Sequence, residues 1–162
     1  MSSNRLRVVF DVNVYIDAIA GPDSSYPVIH EVPPESSNSA ADCLALAFDG
    51  DDFTLFASPH ILRNVSRVLQ EGLGIRRKLT EEILTTITEI IHFSGGSIVD
   101  PPRAQSELMD FEDNLILDLA KATESLVIVT SDRAFLEQSP WFGRVILSPR
   151  EFVKRTLRAR AL

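Results

Sequence analysis

The chain has 162 residues, of which 44% are hydrophobic and 24% are charged, and its formal net charge is −7. This length and composition predict one globular domain over residues 1–162 with a sizeable core, and they exclude a disordered chain. The negative charge argues against broad, non-specific binding of nucleic acid, but it is compatible with a nucleic-acid enzyme that has a local basic strip and an acidic metal pocket.

The first predicted element is a short buried strand over residues 8–10, which ends in an acid. Apolar residues on both faces are typical of a central strand in a parallel sheet. Asp11 stands at the end of this strand, where open α/β sheets bind their ligands. Asp11 can equally cap the helix predicted over residues 13–20. Both interpretations stay open at this point.

A long loop and a second helix follow. Residues 23–38 are rich in proline and serine and predict an exposed loop. Ser39 is predicted to cap the next helix. Cys43 is the only cysteine and lies on the apolar face of that helix. It therefore has no disulfide partner within the chain, and we interpret it as a small core residue.

The middle of the chain continues with a strand predicted over residues 53–57. Ser58 is predicted to cap the next helix, with Pro59 in its first turn, where proline is well tolerated. Thr80 is predicted to cap another helix, which glycines end. Residues 97–99 are predicted to form a short strand.

The last third of the chain again alternates predicted helices and strands. The pattern predicts a helix over residues 112–123, a strand over 126–129, a helical turn over 133–137 and a strand over 145–147. A basic helix or tail follows from about residue 150, and a solvated helix end explains it without any function. This alternation predicts a three-layer α/β/α fold with a central, mainly parallel sheet.

Acids recur at these strand ends and helix starts. Asp11 and Asp132 each follow an apolar strand, and the acids of residues 110–113 begin a helix. We expect them to meet at one edge of the sheet. Two or three carboxylates there form a hard-oxygen site for Mg²⁺ or Mn²⁺, and a cation offsets their mutual repulsion. Such a metal can polarise a phosphodiester and orient water.

Other chemistry lacks the residues that it needs. The histidines His30, His60 and His92 are scattered and Cys43 stands alone, so no plausible zinc spacing exists. The sequence has no phosphate-binding or dinucleotide-binding glycine motif and no serine nucleophile elbow. Hydrolysis of a phosphodiester through metal-bound water is the best remaining enzyme interpretation. With no signal peptide or segment of bilayer length in the sequence, we expect a cytoplasmic protein.

The chain resembles a PIN domain, specifically the VapC-like ribonuclease toxins of type II toxin–antitoxin systems. The resemblance implies a PIN-like fold, Mg²⁺- or Mn²⁺-dependent cleavage of single-stranded RNA, a small antitoxin partner and often a homodimer. The matching pieces, in the family's order, are residues 8–14, 58–62, 110–117, 119–120 and 127–133.

The resemblance also implies roles for particular residues. Asp11, Asp113 and Asp132 match the metal-binding, catalytic acids of the family. Asn13 and Thr130 match polar residues that support the pocket through hydrogen bonds.

Further polar residues lie beside these motifs. Asp110 and Glu112 are candidates for supporting the metal ligands, or they are surface acids at a helix start. Arg63, Arg67 and Arg133 can hold RNA phosphates, or they are ordinary surface charges.

Asn64 departs from the family pattern, because a glutamate usually stands at this position. Asparagine keeps an oxygen but loses the charge on which metal affinity depends. The change implies weaker metal binding, a rearranged site that uses Asp110 or Glu112, or a PIN-like module that binds RNA or protein without cleavage. Asn64 can also be a structural residue beside the apolar stripe of its helix. For the protein as a whole, a further alternative is a different metal phosphoesterase on a similar sheet.

Overall fold

A central sheet of four parallel strands organises the computed structural model, which describes residues 5–21, 37–103 and 111–162. The strand order is β2-β1-β3-β4, and every neighbouring pair is parallel. The strands are β1 (Leu6–Phe10), β2 (Phe53–Phe56), β3 (Val127–Val129) and β4 (Val145–Leu147).

Helices cover the sheet and complete the three-layer α/β/α fold, as the alternating pattern predicts. A π-helical turn, Val68–Gly72, continues the third helix directly. In the described ranges the helices are α1 (Val12–Ala20), α2 (Ser39–Asp49), α3 (Pro59–Arg67), α4 (Arg77–Phe93), α5 (Phe111–Ala122), α6 (Arg133–Leu136) and α7 (Pro149–Arg160).

The core is centred on β1, whose last three residues are fully buried, as two-sided apolar strands of parallel sheets are. Phe10 at the end of this strand packs against Phe53 of β2 and Phe152 of α7, with ring centroids 5.9 Å away in both cases. This aromatic cluster fixes α7 against the end of β1. The acid that follows β1 is therefore attached directly to the buried core.

The topology also determines where the sheet can bind a ligand. The chain leaves β1 to form β2 on one side and later returns to form β3 on the other side. Ligands of open α/β sheets bind beyond the carboxyl ends of the strands at such a switch point. A hydrogen bond of 2.9 Å from the Asp11 backbone nitrogen to the Val129 carbonyl holds the two strand ends together there.

One predicted helix start is confirmed and two are wrong. Ser58 caps α3 by accepting a hydrogen bond from the Ile61 backbone, and Pro59 opens that helix, as predicted. The cap of α2 is Asn38, whose Oδ1 accepts from the Ala41 backbone at 3.0 Å, so Ser39 is already helical. Thr80 is not a cap either, because α4 begins three residues earlier and buries this side chain.

One further difference concerns the middle of the chain. The strand predicted over residues 97–99 is wrong, because only a single bridge joins Ile98 to Ala57. The predicted loop of residues 23–38 lies largely outside the described residues.

The basic C-terminal segment is helical, and Arg160 at its end pairs with Asp49 and Asp52. Within the described ranges, no helix is long and apolar enough to cross a membrane.

Candidate active site

A pocket of about 320 Å³ opens at the carboxyl edge of the sheet, beyond β1 and β3. Five of its nine lining residues are acids and none is basic, so the pocket is strongly negative. The lining residues are Asp11, Val12, Asn13, Ile16, Asp17, Val68, Glu112, Asp113 and Asp132.

Asp11 has two roles in this pocket. Its Oδ1 accepts a hydrogen bond of 2.7 Å from the Val12 backbone nitrogen, which caps α1. Its Oδ2 accepts from the Thr130 hydroxyl at 2.8 Å and from the Asn13 side chain at 3.3 Å. The two interpretations of Asp11 from the sequence are therefore compatible, because one buried carboxylate both caps the helix and lines the pocket.

Thr130 connects the segments that follow β1 and β3 in the pocket. Besides donating to Asp11, its Oγ1 accepts from the Asp132 backbone nitrogen at 3.1 Å and from Asn13 Nδ2 at 3.2 Å. The Oδ1 of Asn13 in turn accepts from the Ser131 backbone nitrogen at 3.0 Å. Thr130 is fully buried, so its hydrogen bond to Asp11 is shielded from water, where hydrogen bonds are strongest. Asn13 and Thr130 thus hold Asp11 and the start of α6 in a fixed relation.

The other two predicted acids lie at the starts of helices. Asp132 caps α6, because its Oδ1 accepts from the Ala134 backbone nitrogen at 3.0 Å. Asp113 lies in the first turn of α5 and is buried, 8% of its surface being exposed. The fold thus brings Asp11, Asp113 and Asp132 to one pocket from three separate parts of the chain.

The donor set of this pocket suits a hard divalent cation. Carboxylate oxygens are the ligands that Mg²⁺ and Mn²⁺ prefer. Among residues 5–21, 37–103 and 111–162, no three His, Cys, Asp or Glu side chains converge closely enough to hold one ion together. Mg²⁺ usually keeps several waters and binds one or two carboxylates directly. The pocket therefore fits a partly hydrated ion, with the remaining acids reached through water.

Sequence analysis missed one acid of the pocket, Asp17. It lies on α1 and lines the same cavity, and its Oδ2 accepts from the Ser131 hydroxyl at 3.4 Å. Its spacing was a usable signal, because residues four apart on a helix share one face and Asn13 precedes it by four. The π-helical turn after α3 brings Val68 to the opposite wall, and such turns are frequent at functional sites.

Asn64 is placed beside the pocket and does not line it. Its Nδ2 donates to Oε2 of Glu112 at 2.9 Å, and Nε2 of His60 lies 2.5 Å from the same oxygen. Arg67 donates to Oδ1 of Asn64 at 3.2 Å. The side chain at position 64 therefore joins α3 to the acidic start of α5, a connection that the sequence does not indicate.

The predicted RNA-binding cations lie outside the pocket lining. Arg63 and Arg67 are exposed on α3, and Arg133 is exposed at the start of α6. Both helices adjoin the pocket, because α3 continues into the turn that carries Val68 and Asp132 caps α6. Asp110, predicted as a supporting acid, falls outside the described residues.

Comparison with known protein families identifies a match for most of the chain. A family model described as PIN domain matches residues 7–134, which extend from β1 into α6. The matched stretch contains all three predicted acids together with Asn13 and Thr130. No curated protein matches the chain.

Proposed function

The chain belongs to the PIN domain family, and from this premise we propose that it is a metal-dependent endoribonuclease that cleaves single-stranded RNA. PIN domains are generally nucleases, and they generally use divalent metal ions. The observation that carries the proposal is the pocket of five acids at the carboxyl edge of the sheet. Such a pocket repels phosphate by itself, so binding of RNA there requires a cation.

We assign metal binding to Asp11, Asp113 and Asp132. A bound Mg²⁺ or Mn²⁺ supplies Lewis-acid polarisation of the phosphodiester and activation of water. The chain's own contribution is orientation, because Thr130 and Asn13 fix the Asp11 carboxylate through hydrogen bonds of 2.8 and 3.3 Å. Preorganised ligands of this kind need no rearrangement when the ion or substrate arrives.

The cations around the pocket suit the substrate backbone. Arg63 and Arg67 on α3 and Arg133 on α6 are exposed beside an acidic site. Phosphates of single-stranded RNA that enter the pocket can be held by such guanidinium groups, which bind phosphate through paired N–H donors. We expect removal of Arg63 or Arg133 to weaken RNA binding and to leave metal binding intact.

The toxin assignment is a finer proposal that rests on the resemblance of the motifs to VapC-like toxins. It includes a small antitoxin partner and a homodimer, with residues 1–162 forming one domain. Expression of the chain alone should arrest bacterial growth, and co-expression of the adjacent small reading frame should relieve the arrest. Growth arrest by an Asp132→Asn variant to the same extent would contradict a toxin that acts by cleavage.

A second candidate function is a PIN-like module that binds RNA or protein without cleavage. The observation that favours it is Asn64, which carries no charge where the family usually has a glutamate. The two candidates are separated by incubating the protein with Mn²⁺ and a circular single-stranded RNA, which only an endonuclease can open. Linear products that EDTA prevents support the nuclease. Retention of the circle on the protein without cleavage supports the binding module.

A further inference from the structure

We propose that Glu112 is a metal-binding carboxylate of the pocket, held in place by Asn64 and His60 as positioning residues. This inference deepens the proposed function and rests on it. Glu112 lines the pocket beside Asp113, in the first turn of α5. The charge that position 64 lacks is therefore supplied from a different helix.

Two side chains of α3 orient the Glu112 side chain. Asn64 Nδ2 donates to the carboxylate oxygen Oε2 at 2.9 Å, and His60 Nε2 lies 2.5 Å from the same oxygen. The Glu112 side chain is 52% exposed, and a glutamate this exposed ordinarily samples several rotamers. Here the two contacts select the rotamer that lines the pocket.

The hydrogen-bond pattern also fixes what Asn64 does. Arg67 donates to Asn64 Oδ1 at 3.2 Å, which orients the amide so that Nδ2 faces Glu112. The amide oxygen is thus bound to a guanidinium group, and the amide nitrogen cannot bind a cation. Asn64 is therefore a positioning residue, and the carboxylate that it holds is the one that lines the pocket.

The arrangement matters because divalent cations gain affinity from each charged oxygen ligand. The His60 Nε2 atom lies 2.5 Å from Glu112 Oε2 and 2.9 Å from Asn64 Nδ2, so both neighbours of this nitrogen belong to the same side-chain cluster. Groups that orient a metal ligand typically change metal affinity roughly 10–100-fold when they are removed. We expect an effect of this size for Asn64 and an effect at least as large for Glu112.

The test measures Mn²⁺ binding by calorimetry on the full chain, with a metal-free thermal melt of every variant. Glu112→Gln should bind Mn²⁺ about 10–100-fold more weakly than wild type. The matched control is Glu89→Gln, which removes one charge from an exposed site on α4 that does not line the pocket. Its affinity should stay within about twofold of wild type, because exposed charges away from a site are screened by salt.

A charge swap provides the sharper comparison. Asn64→Glu combined with Glu112→Gln reverses the carboxylate and the amide of one hydrogen-bonded pair. This double variant should regain most of the Mn²⁺ affinity that Glu112→Gln loses. Asn64→Glu alone should melt at a lower temperature without metal, because it places two carboxylates in contact.

Three results would overturn the inference and leave the proposed function standing. These are unchanged Mn²⁺ affinity in Glu112→Gln, equal losses in Glu112→Gln and Glu89→Gln, and a swap that restores the melting temperature but not the affinity. The last result would make the pair purely structural. Absence of Mn²⁺ binding by the wild-type protein would overturn the proposed function, and the inference with it.

Discussion

The Thr130 hydroxyl donates a hydrogen bond of 2.8 Å to the Asp11 carboxylate and so joins the end of β3 to the end of β1. Both residues are buried, and the same hydroxyl accepts from the Asp132 backbone nitrogen. The neighbouring strands β1 and β3 pair in parallel, which brings their carboxyl ends to the same edge. Two acids from opposite halves of the chain are therefore held by one side chain.

Replacing Thr130 by valine should lower the free energy of unfolding by about 1–3 kcal/mol, because a buried carboxylate loses a donor. Thr130→Ser keeps the hydroxyl and should lose much less. Urea unfolding of the three proteins measures the difference. Equal stability of Thr130→Val and wild type would show that this hydrogen bond does not hold the two strand ends.

Substitutions of Asp11 should separate its cap role from its metal role. Asparagine caps helices about as well as aspartate, whereas alanine typically costs about 1 kcal/mol at a cap. Asp11→Asn should therefore keep the cap of α1 and lose the increase in melting temperature that Mn²⁺ produces. Asp11→Ala should lose both. If Asp11→Asn gained as much thermal stability from Mn²⁺ as wild type, Asp11 would not be a metal ligand.

Mutual repulsion of the acids should destabilise the metal-free protein. Asp113 is buried in the five-acid pocket, so Asp113→Asn should raise the melting temperature without metal. The same variant should reduce the stabilisation by Mn²⁺, which acts by mass action on the folded state. Scanning calorimetry with and without Mn²⁺ measures both effects. A lower metal-free melting temperature would mean that Asp113 mainly stabilises the start of α5.

The hydroxyl of Tyr15 is buried without a hydrogen-bond partner in the described part of the chain. Tyr15→Phe should therefore raise the free energy of unfolding by on the order of 1 kcal/mol. Burial also raises the pKa of this hydroxyl. Above about pH 10 the unfolded chain ionises Tyr15 and the folded chain does not, so wild type should lose stability as the pH rises.

Denaturant unfolding at neutral pH and at alkaline pH compares wild type with Tyr15→Phe. The advantage of the phenylalanine variant should grow above about pH 10, since phenylalanine has no group to ionise. A variant that is less stable than wild type at neutral pH would show that the hydroxyl is satisfied in solution.

Local signals predicted the elements well where one residue decides the structure. Ser58, followed by proline, begins α3 as the sequence indicates. Ser39 was wrong because Asn38, one residue earlier, is an equally good cap, and its amide also donates to the Asp17 carbonyl at 2.9 Å. Thr80 failed because α4 begins at Arg77, before the residue with the preferred cap side chain.

The candidate site was predictable only in part. Asp11 and Asp132 follow apolar strands, so the rule for parallel sheets places them at one edge. The contact between Asn64 and Glu112 joins residues 48 positions apart on two helices, and no local pattern encodes it. Asp17 lies four residues after Asn13 and so shares its helix face, but only the structure shows that this face lines the pocket.

The most direct test of the account links metal binding to RNA cleavage in one titration. Protein stripped with EDTA is mixed with a 5′-labelled single-stranded RNA, and Mn²⁺ is added in steps. Cleavage should be absent without metal and should reach half its maximum at the Mn²⁺ concentration that half-saturates binding. Asp132→Asn, prepared in the same way, should not cleave. Cleavage that persists in EDTA and in Asp132→Asn would contradict a metal-dependent nuclease built on these acids.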